Sequence, residues 1–424
     1  MERGNLPLEI VALVAEYLNL ADLILLQRVS RQWHRVLSSF MVQSAAIRAT
    51  VGGDIVVSDC KAAIQKRLRL ERGKPYKQVS LPSPLDAEHN TFIHPGMLGY
   101  SNGILAWLEG ETDLRSIAIF HLRTGKTDRL ATENRDQLME LKISRSLIAV
   151  MSRRGYCHIW DIHTHEHQAF RLPSNDFSYF VVSDRKVAFD YREYIIHWAW
   201  DSAIARRIPI KTGILLLALH PSEDKFTVVR VGDKVYRGDR LVMVNDDDTC
   251  HVYTEKYTIN NANEFHCSHS QNHQIPLIRG EIWQTQPAQE IYEGQTSTLL
   301  LKMGTADTQS KRYFSLQGDE VICHEMLPRP TISNAFCVGQ DLIYAPVERL
   351  GATYSDRLAI MKSKGKRSAS PANAMGECQH LAERHAIISS CIRVLGDSDF
   401  VIFADLRSLV IWGFDETWQP ASWP

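Results

Sequence analysis

The sequence predicts a multidomain α+β protein. A small three-helix unit occupies residues 1–45, a basic and partly helical connector follows over 46–90, and an all-β array of about seven repeated units fills 91–424. Three observations carry this division. Apolar residues near the N-terminus recur at helical spacing, cations concentrate over 61–78, and short apolar strands separated by polar turns recur beyond residue 90.

In the first segment, Ile10, Leu13, Val14, Tyr17 and Leu18 fall at three- and four-residue steps and share one helix face. Pro7 suits a helix start, where its missing N–H has no partner to lose. Glu9 in the first turn favours the positive end of the helix dipole. Asn19 and Ser30 are suited to cap the second and third helices. The second presents Leu23, Leu26 and Val29, and the third Trp33, Val36 and Leu37. Three helices this short cannot bury all these faces among themselves. Either the rest of the chain covers the remainder, or a partner does.

The segment reads as neither a membrane span nor a secretory signal. Glu9, Glu16 and Asp22 interrupt the apolar run, and a span needs about 20 mostly apolar residues. The eight cysteines form no CxxC pair and no secreted framework, so free thiols in the cytoplasm or nucleus are expected. With 48 Lys plus Arg against 49 Asp plus Glu, there is no global attraction to nucleic acid or membrane.

Leu6-Pro7, Glu9-Ile10, Tyr17-Leu18, Asp22-Leu23, Leu26, Val29, Arg31 and Trp33 keep the order and spacing of a known pattern. The N-terminus resembles the F-box, the helical module that docks onto the Skp adaptor of cullin–RING ubiquitin ligases. Leu20-Ala21 stands where many F-boxes have Pro, and Ser30 where many have Cys. The resemblance implies an adaptor-binding surface formed or supported by Leu6, Pro7, Ile10, Leu13, Tyr17, Leu18, Leu23, Leu26, Val29 and Trp33. The contrary reading is a helical hairpin that packs on its own protein.

In the connector, Ala62 to Leu70 has helical character, and Gly73-Lys74-Pro75 ends it. Lys61, Lys66, Arg67, Arg69, Arg72, Lys74 and Lys77 carry no interleaved aromatics for stacking on bases. A solvated connecting helix is expected.

Beyond residue 90 a repeat emerges in AIFHLRTGK, HIWDIHTHE and WAWDSAIAR, which place Phe120, Trp160 and Trp200 at intervals of 40. Later stretches such as LVMV, TLLLKM, LIYAPV and FVIFAD repeat the strand–turn grammar, giving seven recognisable units. At about 40–45 residues per four-stranded unit, the region holds seven or eight. It resembles a WD-repeat β-propeller with degenerate repeats, although the Gly-His that opens many such repeats is absent. The stretch 361–379 reads as an exposed loop carrying Lys362, Lys364, Lys366 and Arg367.

No phosphate loop, dinucleotide fingerprint or nucleophile elbow is present, so no catalytic residue and no cofactor is assigned. His163, His165 and His167 alternate as metal ligands on a strand do, yet align with a hairpin turn that would splay them. His266, Cys267, His269 and His273 read as a solvated loop, and neither they nor the acids Asp246, Asp247 and Asp248 show an established ligand spacing, so no metal ligand is assigned. Among the inter-strand turns, Arg153, Arg154, Tyr191, Arg192 and Tyr194 are substrate-contact candidates of hot-spot type, against a plain reading as hairpin surface.

The function expected from the resemblance is a non-catalytic substrate receptor of a Skp–cullin–F-box ligase, binding a protein substrate through the β region. The alternatives are an F-box scaffold that acts without ubiquitination, and a propeller protein whose N-terminal helices belong to its own core.

Overall fold

The computed structural model describes residues 6–18, 20–51, 60–84, 95–110, 114–134, 136–232, 234–237, 240–243, 249–259, 264–276, 281–282, 291–293, 296–305, 311–317, 320–325, 331–332, 336–338, 342–348, 357–364, 375–385, 393–405 and 408–420. Among the described residues, five α-helices are followed by a ring of mainly antiparallel sheets, an all-β propeller.

The helices are α1 (Leu8–Ala15), α2 (Leu20–Leu26), α3 (Arg31–Leu37), α4 (Phe40–Val51) and α5 (Cys60–Arg72). Ser30 caps α3, its hydroxyl accepting the Trp33 N–H at 3.1 Å. Asn19, expected to cap α2, lies outside the described residues. The core joins Val11, Ala15, Leu20, Leu23 and Leu37 to Val42, Ala45 and Ile47 of α4 and to Ile64 and Leu68 of α5. The helical unit therefore extends beyond residue 45, because three short helices need the inner faces of α4 and α5 to complete a core.

Among the described residues, five sheets have four strands each. Blade 1 is Leu98–Ser101, Ile104–Glu109, Ser116–His121 and Thr127–Ala131; blade 2 is Leu138–Ile143, Leu147–Ser152, Tyr156–Asp161 and His167–Arg171. Blade 3 is Tyr179–Ser183, Lys186–Asp190, Tyr194–Ala199 and Ile204–Pro209. Blade 4 is Ile214–Leu219, Lys225–Val231, Thr249–Ile259 and Phe265–Pro276, with a hairpin over 234–243 between its second and third strands. A ten-stranded sheet holds two further up-and-down groups over 281–325 and 331–385, blades 5 and 6. It includes Arg357–Lys364 and Met375–His385, paired from Arg357–His385 to Lys364–Glu377, so both ends of the expected loop at 361–379 are strand. The pairing partners lie on either side of a stretch whose polarity resembled a loop.

Blade 7 closes the ring. Arg393–Gly396, Phe400–Ala404 and Ser408–Gly413 supply three strands, and Lys77–Pro82 supplies the fourth. Lys77 pairs with Gly413 and Pro82 with Ser408. The outer strand of the last blade thus comes from the stretch expected to be connector. Its alternation is weak, with only Val79 and Leu81 apolar before Pro82, and its partner lies at the far end of the chain.

Trp200 does not repeat Phe120 and Trp160. Phe120 opposes Thr127 and Trp160 opposes His167 across the third and fourth strands; in blade 3 the corresponding pair is Trp198 with Ala205. Trp200 instead donates its N–H to the Arg185 carbonyl, as Leu122 does to Gly103 and Ile162 to Ser146. Strand side chains repeat every two residues, so a two-residue slip keeps the face and hides in the sequence.

Candidate functional site

Helix α1 is apolar on both sides, with its small residues turned inward. Val11, Ala12 and Ala15 are buried, whereas Ile10, Leu13 and Val14 are about half exposed and Tyr17 is 74% exposed. Leu6, at 56%, precedes the helix beside the exposed Pro7, whose carbonyl accepts the N–H of Ile10 and Val11. Val29 and Trp33 are exposed at the α2–α3 junction. A helix clothed all round in apolar side chains is ordinarily buried on all sides. Here α4 covers one side of α1 through the core, and large side chains on the other side meet solvent.

The ten residues assigned from the sequence separate into two layers. Leu6, Pro7, Ile10, Leu13, Tyr17, Val29 and Trp33 are exposed. Leu18 and Leu26 pack partly against the helical core. Leu23 is wholly buried, which leaves it a supporting place beneath the surface, because the inward side of α2 is the one that meets Leu20, Leu37 and α4. Sequence reasoning missed Leu8, Leu25, Phe40 and Met41, all exposed. Helical spacing from Leu20 and Leu23 would have turned Leu25 outward; Phe40 and Met41 lie past the last motif residue and carried no comparable signal.

α5 is not a solvated connector. Lys66 pairs with Asp399 in the turn between the first two strands of blade 7. Arg67 is buried and pairs with Glu71, which also meets Lys362 of blade 6 at 3.4 Å. Arg69 lies over the Tyr76 ring at 3.8 Å, and Lys77 reaches the Trp418 carbonyl. The charges that made this the most basic stretch are largely used within the chain. Gly73, at φ 56°, ends the helix, and the N–H groups of Gly73 and Lys74 return to the carbonyls of Leu70 and Arg69.

α5 meets blade 7 at the turn between its first and second strands, and blade 6 through Tyr344 near the start of Leu342–Glu348 and Lys362 near the end of Arg357–Lys364. Arg153 and Arg154, and Tyr191 and Arg192, lie in turns between second and third strands; antiparallel order places these turns at the opposite end of the ring. The loop between blades 2 and 3 ties them together: Asn175 donates to the Arg153 carbonyl at 3.0 Å and Tyr191 Oη to Ser174 O at 2.6 Å. Tyr191 is buried, and burial pushes its hydroxyl up to about 12. Tyr194 stacks on Tyr191 and lies under Arg207, while Arg154 pairs with Asp136. Of the five, Arg153 and Arg154 are the exposed ones.

The two histidine clusters differ from expectation in detail. His163 and His165 sit in the turn, but His167 begins the outer strand of blade 2 and stacks on Trp160, its Nε2 lying 3.2 Å from His158 Nδ1. His266, Cys267, His269 and His273 lie on the outer strand of blade 4 rather than in a loop. Among the described residues, no group of three or more His, Cys, Asp or Glu is arranged to hold a metal ion. Asp246, Asp247 and Asp248 lie outside the described residues. No described helix is long and apolar enough to cross a membrane.

Fold and surface together define a class: a small helical module with an uncovered apolar face, carried on a β-propeller. Residues 4–41 match the F-box-like family model. No curated protein matches the sequence. Among solved structures, a chain of the Mitotic Checkpoint Complex is similar at 12% identity and TM-score 0.44, covering 80% of this chain and 94% of that one. The β-propeller domain of the Trilobed protease from Pyrococcus furiosus is similar at 12% identity and TM-score 0.44, covering 74% and 91%. BamB from Moraxella catarrhalis is similar at 10% identity and TM-score 0.42, covering 80% and 99%. The chain carries an F-box-like module ahead of a propeller.

Proposed function

We propose that this protein is the substrate receptor of a Skp–cullin–F-box ubiquitin ligase. One observation carries the reading: the large apolar side chains of α1, with Val29 and Trp33, are turned to solvent while the smaller ones form the core. An exposed apolar surface of this kind marks a protein interaction site, and the F-box-like match at 4–41 favours the Skp adaptor as its partner. The docking mode is helix-in-groove, with Leu6, Ile10, Leu13 and Tyr17 as anchors.

The propeller then holds a protein substrate. The end of the ring away from α5 carries Arg153 and Arg154, which favours it as the substrate face. The chain performs no bond chemistry in this scheme. It raises the effective concentration of a substrate lysine near a ubiquitin-charged conjugating enzyme.

Co-expression with the Skp adaptor tests the reading. The wild-type chain should co-purify with the adaptor, and a Leu6→Ala/Pro7→Ala variant should co-purify less. A folded wild-type chain that does not bind the adaptor rejects the proposal.

A further inference from the structure

Blades 7 and 1 meet beside α5, and one carboxylate serves both. Asp399 stands in the blade 7 turn between Arg393–Gly396 and Phe400–Ala404. Its Oδ1 receives Lys66 from α5, and its Oδ2 receives Arg123 from the turn after the third strand of blade 1. Arg123 also donates to Asp415 and lies over the Phe400 ring at 5.4 Å. Trp418 packs edge-on to Phe400 and donates its indole N–H to the Leu122 carbonyl at 2.8 Å.

The turn that aims Asp399 is itself fixed. Asp397 Oδ1 accepts the N–H groups of Asp399 and Phe400 at 2.7 and 2.9 Å. The Tyr100 hydroxyl of blade 1 donates to Asp397 Oδ2 at 2.7 Å and accepts the Gly103 N–H at 2.9 Å. Thus the carboxylate receiving Lys66 is positioned by groups from the ring seam.

We propose that Asp399 is a positioning residue that couples closure of the propeller ring to the seating of the helical module. Lys66 and Arg123 grip opposite oxygens of one carboxylate. Loosening the seam therefore moves the anchor of α5, and undocking α5 frees a charge at the seam. This linkage concerns the chain alone and does not depend on what the module binds.

Hydrogen exchange on the full chain tests it, comparing wild type with Lys66→Met and Arg123→Met. Peptides over 60–72 report α5, and peptides over 98–125 report the blade 1 side of the seam. Blade 3, over 179–209, serves as the internal reference. The pairs are partly exposed, so the effect is modest, about threefold to fivefold faster exchange at low salt. Coupling requires each variant to accelerate both reporter regions with blade 3 unchanged, and the effect to shrink at high salt. If Lys66→Met affects 60–72 alone and Arg123→Met affects 98–125 alone, or neither changes anything, the proposal is overturned. General acceleration that includes blade 3 also overturns it, since it would mean non-specific destabilisation.

Discussion

The Tyr344 hydroxyl, buried in blade 6, donates to the Leu70 carbonyl at 2.5 Å and so fastens the last turn of α5 to the propeller. With Lys362–Glu71 and Lys66–Asp399, it makes α5 a structural seam between the helical module and the ring. The Leu70 carbonyl keeps its bond from Gly73 N–H when Tyr344 is removed. Tyr344→Phe should therefore cost about 1 kcal/mol, the typical net value of one hydrogen bond, read as a shift in urea midpoint without a change in slope.

Trp198, rather than Trp200, is the structural counterpart of Phe120 and Trp160. It is essentially unexposed, stacks on Phe170 at 5.7 Å and meets Trp200 edge-on at 6.0 Å. Trp198→Ala should cost about 3–5 kcal/mol, as large-to-small core changes do. Trp200→Ala, in the turn, should cost less. Equal losses in chemical unfolding would contradict the two-residue slip as the repeat's true register.

His197 lies buried between Phe226 and Phe265, and neither ring nitrogen has a hydrogen-bond partner among the described residues. Burial lowers its proton affinity to about 4. The folded state then binds fewer protons than the unfolded state between pH 6.5 and 4, so its contribution to stability falls as pH drops through that window, by up to about 3 kcal/mol. Asp190, raised to about 6 by burial, acts oppositely: protonated folded Asp190 favours the fold at low pH, and this is lost as pH rises through 6. His197→Phe isolates the first effect. It should raise stability at pH 5 more than at pH 8, measured by thermal melts; an equal gain at both would reject the assignment.

Ser30→Ala removes the oxygen that accepts the Trp33 N–H at the start of α3. The expected loss is about 1 kcal/mol, seen as faster exchange across Arg31–Leu37, while the propeller's unfolding is unchanged.

The Ser30 cap, the helix stop at Gly73 and the general architecture were legible because each rests on local chemistry: a side-chain oxygen, a positive φ, a period of 3.6 or 2. Lys77–Pro82 was not, because its strand character comes from Ser408–Gly413, at the other end of the chain. The roles of the α5 cations were hidden for the same reason, since Lys66 is explained by Asp399 and Arg67 by its burial. Within the candidate surface, spacing identified the apolar positions of α1 and α2. It did not separate the outward Leu13 and Tyr17 from the inward Leu23, which depends on where α4 packs.

The central claim is that the outer side of α1 is a docking surface for the Skp adaptor. Titration of purified adaptor against the wild-type chain and a Leu13→Glu/Tyr17→Ala variant tests it most directly, because both residues are exposed and removed from the core. The variant should melt within about 1 °C of wild type, its changes being on the surface, yet bind at least tenfold more weakly, a loss of about 1.4 kcal/mol or more. Unchanged affinity in a folded variant, or a folded wild-type chain with no affinity for the adaptor, would contradict the account.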